Sequence, residues 1–247
     1  LGYYEGANLR LVELASTTQA MDALRVGSLD LAGLTLDEAL LLAQEGVPIA
    51  VIWVLNTSAG ADALLAKPGI TTLDALRGKR IGVEQTAVGG YMLNAALAQA
   101  HLQVSDIRVV PLPLDEHWPA WQANAIDAVV TLDPVRQKIL NAGGQVVFSS
   151  ADIPGQIVDV LVARQSALEC CRAQIERLIA GQQQALTYLR EHPTPAWQHM
   201  AQRQGIAPQE LGQALAGIDI PDARMNLTLL TQAYTGLAAT VQYLATV

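Results

Sequence analysis

The sequence predicts an α/β protein with two small, mostly parallel sheets and a helical C-terminal tail. Three observations carry this. Strand-like and helix-like segments alternate from Leu9 to Ala163, and such alternation folds into parallel sheets. The alternation falls into two blocks, 9–66 and 80–163, which suits two sheets better than one. From Ser166 to Val247 only helical patterns remain, punctuated by Pro193, Pro195, Pro208 and Pro221.

Leu9 to Leu14 alternates and reads as a strand. Ser16-Thr17-Thr18 then opens a helix carrying Ala20, Met21 and Leu24, with Gly27 as its stop. Leu29 to Leu34 is a second strand, ending at Thr35. Leu36 to Ala43 is a short helix with Asp37 and Glu38 in the first turn, where the dipole favours acids. Val47 to Leu55 is a fully apolar strand that opens into Asn56-Thr57-Ser58, and Ala61 to Ala66 is another. Thr72 caps a short helix that ends at Gly78. Arg80 to Glu84 has the β-branched content of a buried parallel strand. A tight turn follows up to Gly90, and then a helix bearing Tyr91, Leu93, Ala96 and Leu97. Strand, polar turn and helix make half a βαβ unit, and ligands of open α/β sheets sit beyond the carboxyl ends of strands.

Further along, Ile107 to Val110, Ala125 to Leu132, Gln145 to Phe148 and Ile157 to Ala163 read as strands. Helices are expected over Asp115 to Ala123 and Val135 to Leu140. The tail helices span about 168–190, 195–204, 208–215 and 226–247. Ile157 to Ala163 is expected to cross between the two sheets.

Of 247 residues, 51% are apolar, enough for a large core in one large domain or two lobes. The net charge of −8 with no basic run argues against nucleic acid and anionic membranes. The longest apolar run, Val47 to Leu55, is about half of what a membrane span needs. The chain starts Leu1-Gly2-Tyr3 without a basic segment or signal-type core, as a cytoplasmic or a trimmed mature chain would. The only cysteines, Cys170 and Cys171, are adjacent. Neighbouring Cα atoms lie ~3.8 Å apart, closer than a relaxed disulfide allows. They are expected as two half-buried thiols on a helix.

Five segments stand out: GYYEGANLRLVEL (2–14), VGSLDLAGLTLDEAL (26–40), GADALLAKPGITTLDALRGKRIGVE (60–84), AIDAVVTLDPV (125–135) and DIPGQIVDVLVAR (152–164). In this order and spacing they resemble the nitrate/sulfonate/taurine-type solute-binding proteins of ABC transporters. That superfamily includes binding proteins for pyrimidine precursors of thiamine. The resemblance implies a two-lobed type II periplasmic binding-protein fold that closes on its ligand by hinge motion. It also implies lobe one at 1–78 plus 165–247, lobe two at 79–164, and hinges near 62–80 and 156–165. Members of the family carry a further strand, a ligand-facing loop and a helix ahead of the position of Gly2; these, and a signal, would lie outside this chain. The expected location is the periplasm, or a lipid anchor outside the cytoplasm. The expected partners are a small-molecule ligand and an ABC permease, with the protein a monomer that uses no cofactor or metal and does not bind nucleic acid.

On this fold, strand-end loops from both lobes face one cleft. Lobe one offers Ser16, Thr17, Thr18, Thr35 and Asn56. Lobe two offers Glu84, Thr86, Thr131 and Asp133, and Asp159 lies on the crossing strand. Asp37, Ser58, Gln85, Glu116, His117 and Trp118 stand on the same loops. Each has a second reading: Ser16 to Thr18 as helix caps, Asn56 as a turn former, Asp133 as an N-cap, Asp159 as a partner of Arg164, His117 as a solvated loop residue, Trp53 as core. None of these loops carries Lys or Arg, so an amine, amino acid or pyrimidine fits them better than a nitrate or sulfonate. Trp53 and Trp118 are candidates to stack on such a ligand.

Two other function classes stay open. One is an enzyme, such as the fungal relative that makes the thiamine pyrimidine. Its cysteine- and histidine-bearing motif has no counterpart here, and His101, His117, His192 and His199 show no metal spacing. The other is a ligand-sensing extracytoplasmic domain of a signalling protein, fused to or partnered with a sensor.

Overall fold

The computed structural model describes residues 2–85 and 88–231. In chain order the elements are α1 (Thr17–Arg25), β1 (Leu31–Thr35), α2 (Leu36–Gln44), β2 (Ile49–Ser58), β3 (Ala63–Ala66), β4 (Arg80–Val83), α3 (Val88–Gln99), β5 (Arg108–Pro111), α4 (His117–Gln122), β6 (Ala128–Thr131), α5 (Val135–Asn141), β7 (Gln145–Ser149) and β8 (Val158–Arg164). The C-terminal part adds α6 (Gln165–Cys170), α7 (Arg172–Glu191), α8 (Pro193–Gln204), α9 (Pro208–Leu215), β9 (Ile218–Asp219) and α10 (Ala223–Thr231).

The strands form two sheets, ordered β1-β8-β2-β9 and β5-β4-β6-β3-β7. The α/β architecture with two sheets and a helical C-terminal part is as expected. Strand direction is not. The first sheet is antiparallel at every pairing, and in the second only β4-β5 and β4-β6 are parallel. The reason lies in two strands. β1 and β2 share a direction, but β8 is inserted between them running the other way. β3 does the same between β6 and β7. Each reversed strand enters from the other sheet's side, so it arrives at the opposite end and reverses the pairing on both flanks.

Sheet membership also corrects the expected division of the chain. β3, expected in the first unit, belongs to the second sheet because its apolar residues 63–66 pair with β6 and β7. β8, expected in the second, is a central strand of the first. The chain therefore passes between sheets at 59–62 and at 150–157. The two passages touch: Ser58 N donates to Ile157 O at 2.9 Å, and the hydroxyls of Ser58 and Ser150 lie 2.7 Å apart.

Each sheet buries its own core. Met21, Leu24, Leu34, Leu42, Val54, Val160 and Val162 fill the first. The second is covered on both faces, by Met92, Leu93 and Leu97 of α3 on one and by Trp121 and Ile139 on the other, with Ile126 beside them. That double burial explains the unbroken apolar runs of β3 and β6.

Four local expectations change. Leu9 to Leu14 is not a strand: it is irregular and exposed, and Glu13 pairs with Arg203 of α8 at 3.1 Å. Alternation makes a strand only where a sheet edge is there to pair with, and this segment meets none among the described residues. The expected stretch without strands holds β9, too short to show a period, which pairs with Thr57 and Ser58. Gly89 and Gly90, expected in the turn, lie inside α3. A Cβ at Gly89 would stand 2.9 Å from Glu84 O, and one at Gly90 2.7 Å from Gln85 O, so glycine lets the helix start directly against the strand end. Finally, Cys170 and Cys171 form a disulfide, and the helix expected over 168–190 divides there into α6 and α7. Cys171 leaves the helical backbone conformation, which brings the two sulfurs together despite the short Cα spacing.

Candidate functional site: an acidic cleft between the sheets

A cleft of about 470 Å³ lies between the two sheets. Three of its polar walls come from one row of the first sheet. Asp159 on β8 is the register partner of Thr35 on β1 and of Asn56 on β2. Residues directly opposite on adjacent strands share a face, so the three side chains stand side by side, and all line the cleft. Thr35 and Asn56 end apolar runs (LAGL and VIWVL) and Asp159 opens one (VLVA), which is why the apolar strands stay buried while their polar ends reach the cavity. The second sheet contributes Glu84 after β4, Thr131 to Asp133 at the end of β6, and His117 from α4; the first passage contributes Ala61 and Asp62.

The expected site residues divide clearly. Thr17, Thr35, Asn56, Glu84, Thr131, Asp133 and Asp159 line the cleft. Thr18 is beside it, its hydroxyl donating to Glu84 Oε1 at 2.6 Å, a bond that joins α1 to the end of β4 across the two sheets. Ser16 serves as the α1 cap, accepting from Gln19 N at 3.3 Å. Thr86 lies outside the described residues. Asp159 does not pair with Arg164, whose guanidinium donates to Leu24 O; it accepts from Asn56 Nδ2 at 2.8 Å instead. Trp53 is core, and neither it nor Trp118 lines the cleft.

His117 is not a solvated loop residue. It is 2% exposed, with Nδ1 3.1 Å from Thr131 Oγ1 and Nε2 3.3 Å from Leu112 O. A carbonyl only accepts, so Nε2 carries the proton and Nδ1 accepts from the Thr131 hydroxyl. Burial lowers its pKa, which favours the neutral ring. Asp62 sits at the head of an apolar run, inside what reads as strand. An acid bordering such a run is costly unless paired, and that was the available signal. Ala214 and Ile218, from the tail, carry no local signal at all.

Electrostatically the cleft is one-sided. Asp62, Glu84, Asp133 and Asp159 line it, and no Lys or Arg does among the described residues. Arg136, 3.6 Å from Asp133, is the neighbouring cation. Burial pushes Asp159 up to about 6, against the Asn56 hydrogen bond and helped by the charges of Asp62 and Asp37. Burial also raises Asp62, which feels Asp37 and Asp133.

Beneath the cleft, Glu38 is 1% exposed, accepts from Thr35 N at 2.9 Å, and is pushed up to about 7, chiefly by burial. A folded-state pKa above the unfolded one means that the acid favours folding when protonated and disfavours it as pH rises toward 7. Glu38→Gln keeps the bond to Thr35 N and removes the charge. It is expected to stabilise the protein by about 1–2 kcal/mol at pH 8, with the gain vanishing below about pH 4.5. Urea unfolding at the two pH values checks this, and an unchanged or lower stability at pH 8 would contradict it.

Residues 2–205 match the model of the NMT1-like family. The chain is similar to the taurine-binding periplasmic protein of Escherichia coli (strain K12), 27% identical over 168 residues, covering 66% of this chain and 52% of that one. It spans about half the length of the curated relatives it matches. Among solved structures, the alkanesulfonate-binding protein of Xanthomonas axonopodis pv. citri, bound to MOPS, has a TM-score of 0.75 at 21% identity, over 94% of this chain and 82% of that one. The periplasmic aliphatic sulphonate-binding protein of Escherichia coli has a TM-score of 0.74 at 22% identity, over 95% and 79%. At such identities the likeness shows the fold, a two-lobed periplasmic binding-protein architecture of type II. With the family model spanning most of its length, the chain belongs to the NMT1-like family.

Proposed function

We propose that this protein is the solute-binding component of an ABC importer. It captures a small molecule between the sheets, outside the cytoplasm, and delivers it to a permease. The observation that carries this reading is the cleft itself. Polar strand ends from both sheets converge on one cavity of about 470 Å³, the size of a small-solute site. The relatives, binding proteins by name, support it. On this reading the sheets are the cores of two lobes, and the hinge is the pair of passages at 59–62 and 150–157. A solute that touches both lobes stabilises the closed form, which is the form a permease or a sensor partner would select.

The solute class supported best is an amine, amino acid or amine-bearing heterocycle, because the cleft presents four carboxylates and no lining cation among the described residues. A sulfonate is the second reading, favoured by the names of the relatives and by the N-terminal turns of α1 and α3, whose Thr17, Val88 and Gly89 face the cleft. A thermal-shift screen over amines, amino acids, pyrimidines and sulfonates tests both. A ligand that binds only the folded form raises the melting temperature. The amine reading predicts its largest shifts among amine-bearing compounds. A larger shift with a plain alkanesulfonate would favour the second reading, and turnover of any bound compound would replace binding by catalysis.

A further inference from the structure

The row Thr35, Asp159, Asn56 has a property that its position alone does not give: its hydrogen-bonding capacity is left over on the acceptor side. Asn56 turns its amide nitrogen to Asp159, and its Oδ1 is buried without a partner. The Thr35 hydroxyl, on a residue 7% exposed, stands at the same end of the row, beside the carboxyl groups of Asp37 and Glu38. Asp62 closes the row from the first passage, a second carboxylate lining the same cavity. The other charged groups acting on this pair, Asp37 from α2 and Asp133 from the end of β6, are acidic too. A buried acceptor without a donor costs free energy comparable to a lost hydrogen bond.

We propose that Thr35, Asp159 and Asn56, closed by Asp62, form a subsite for a protonated amine of the bound solute. An ammonium brings three donors, no acceptor and one positive charge. It donates to the unpaired Asn56 Oδ1 and offsets the repulsion between the two carboxylates in a single step. A carboxylate, sulfonate or nitrate placed there would add like charge and supply no donor. The subsite sits where the first passage between the sheets, which carries Asp62, meets the cavity. This assignment rests on the cleft being a solute site and adds where the amine sits and what holds it.

The test uses matched pairs that differ only at the amine: taurine against isethionate, and putrescine against 1,4-butanediol, each titrated calorimetrically at pH 7.5. In at least one pair the amine member is expected to bind about tenfold more tightly or better. That preference should fall to about threefold or less in Asp159→Asn and in Asp62→Asn. Both substitutions remove a charge that burial disfavours; should one fail to fold, as judged by its melting curve, the other carries the test. Equal binding within both pairs overturns the subsite while leaving the solute-binding reading in place, as does an amine preference that survives both substitutions. Binding of no member of either pair also overturns the subsite, and the wider thermal-shift screen then decides the solute-binding reading by itself.

Discussion

Asn226→Ala is expected to lower the melting temperature by about 5–10 °C, on the basis of about 2–4 kcal/mol lost from a domain of this size. The residue is 1% exposed and lies on α10, far in sequence from the sheet that it completes. Its Oδ1 accepts from Val54 N at 2.6 Å, and its Nδ2 donates to Val54 O at 3.0 Å. In an antiparallel strand the N–H and C=O of one residue point to the same side. For Val54 that is the side on which β9 pairs with Thr57 and Ser58. The Asn226 amide thus continues the edge where β9 stops, and alanine would leave a buried donor and a buried acceptor unpaired. The bulges that flank Val54 in its pairing with β8 leave little alternative bonding there. Differential scanning calorimetry measures the effect. A shift below about 2 °C would mean that water or a repacked strand replaces the amide. Since Asn56 follows Val54 by two positions, the variant should also weaken solute binding.

Capture of an amine-bearing solute is expected to weaken about tenfold between pH 8 and pH 5. Glu38 beneath Thr35 also titrates in this interval, at about 7, but the titrating group of the row itself is Asp159, with a pKa of about 6. Above that value its carboxylate is charged and attracts an ammonium. At pH 5 most molecules carry a neutral acid there, and binding must first expel the proton. The groups that face Asp159 set this value: Asn56 from β2 lowers it, and Asp62 and Asp37 raise it. Burial lowers the pKa of His117, so the charge that it gains comes at lower pH than for a free imidazole and adds to the loss of binding. Calorimetry of putrescine, whose own charge is constant across the interval, provides the measurement, and Asp159→Asn should flatten the profile. An unchanged affinity from pH 8 to pH 5 would remove Asp159 from the recognition of charge.

How much of this was legible beforehand depends on the range of the interactions involved. The start of α1 follows from Ser16 and its stop from Gly27. The start of α9 follows from Pro208 in its first turn, whereas α8 begins at Pro193, two residues before the expected Pro195. The cleft-facing Thr35, Asn56, Glu84, Thr131, Asp133 and Asp159 could be named because each is a polar residue at the end or near the end of an apolar strand, a pattern contained in about six residues. Glycines 89 and 90 misled, because a residue type that usually marks a turn serves here to let a helix abut a strand. His117 misled because its flanking residues look solvated, while α4 folds it under the end of β6. The cysteine pair misled because spacing along a helix says nothing about a residue that leaves it.

The amino-acid sequence by itself determined most helix and strand positions, which faces are apolar, and that polar and acidic residues border the strands that reach the cleft. These depend on propensity, capping and periodicity, all of which act over one or two turns of chain. Only the tertiary structure decided that β8 and β3 run against their neighbours, that Thr35, Asp159 and Asn56 form one row, and that Asn226 closes an edge at Val54. The bond between Val54 N and a side chain 172 positions away leaves no periodic trace, because a backbone amide has the same hydrogen-bonding groups whatever its side chain. The raised pKa values of Asp62 and Asp159 belong to that second class as well. A carboxyl group acquires them from the water that it loses and the charges brought beside it, and both are supplied by distant parts of the chain.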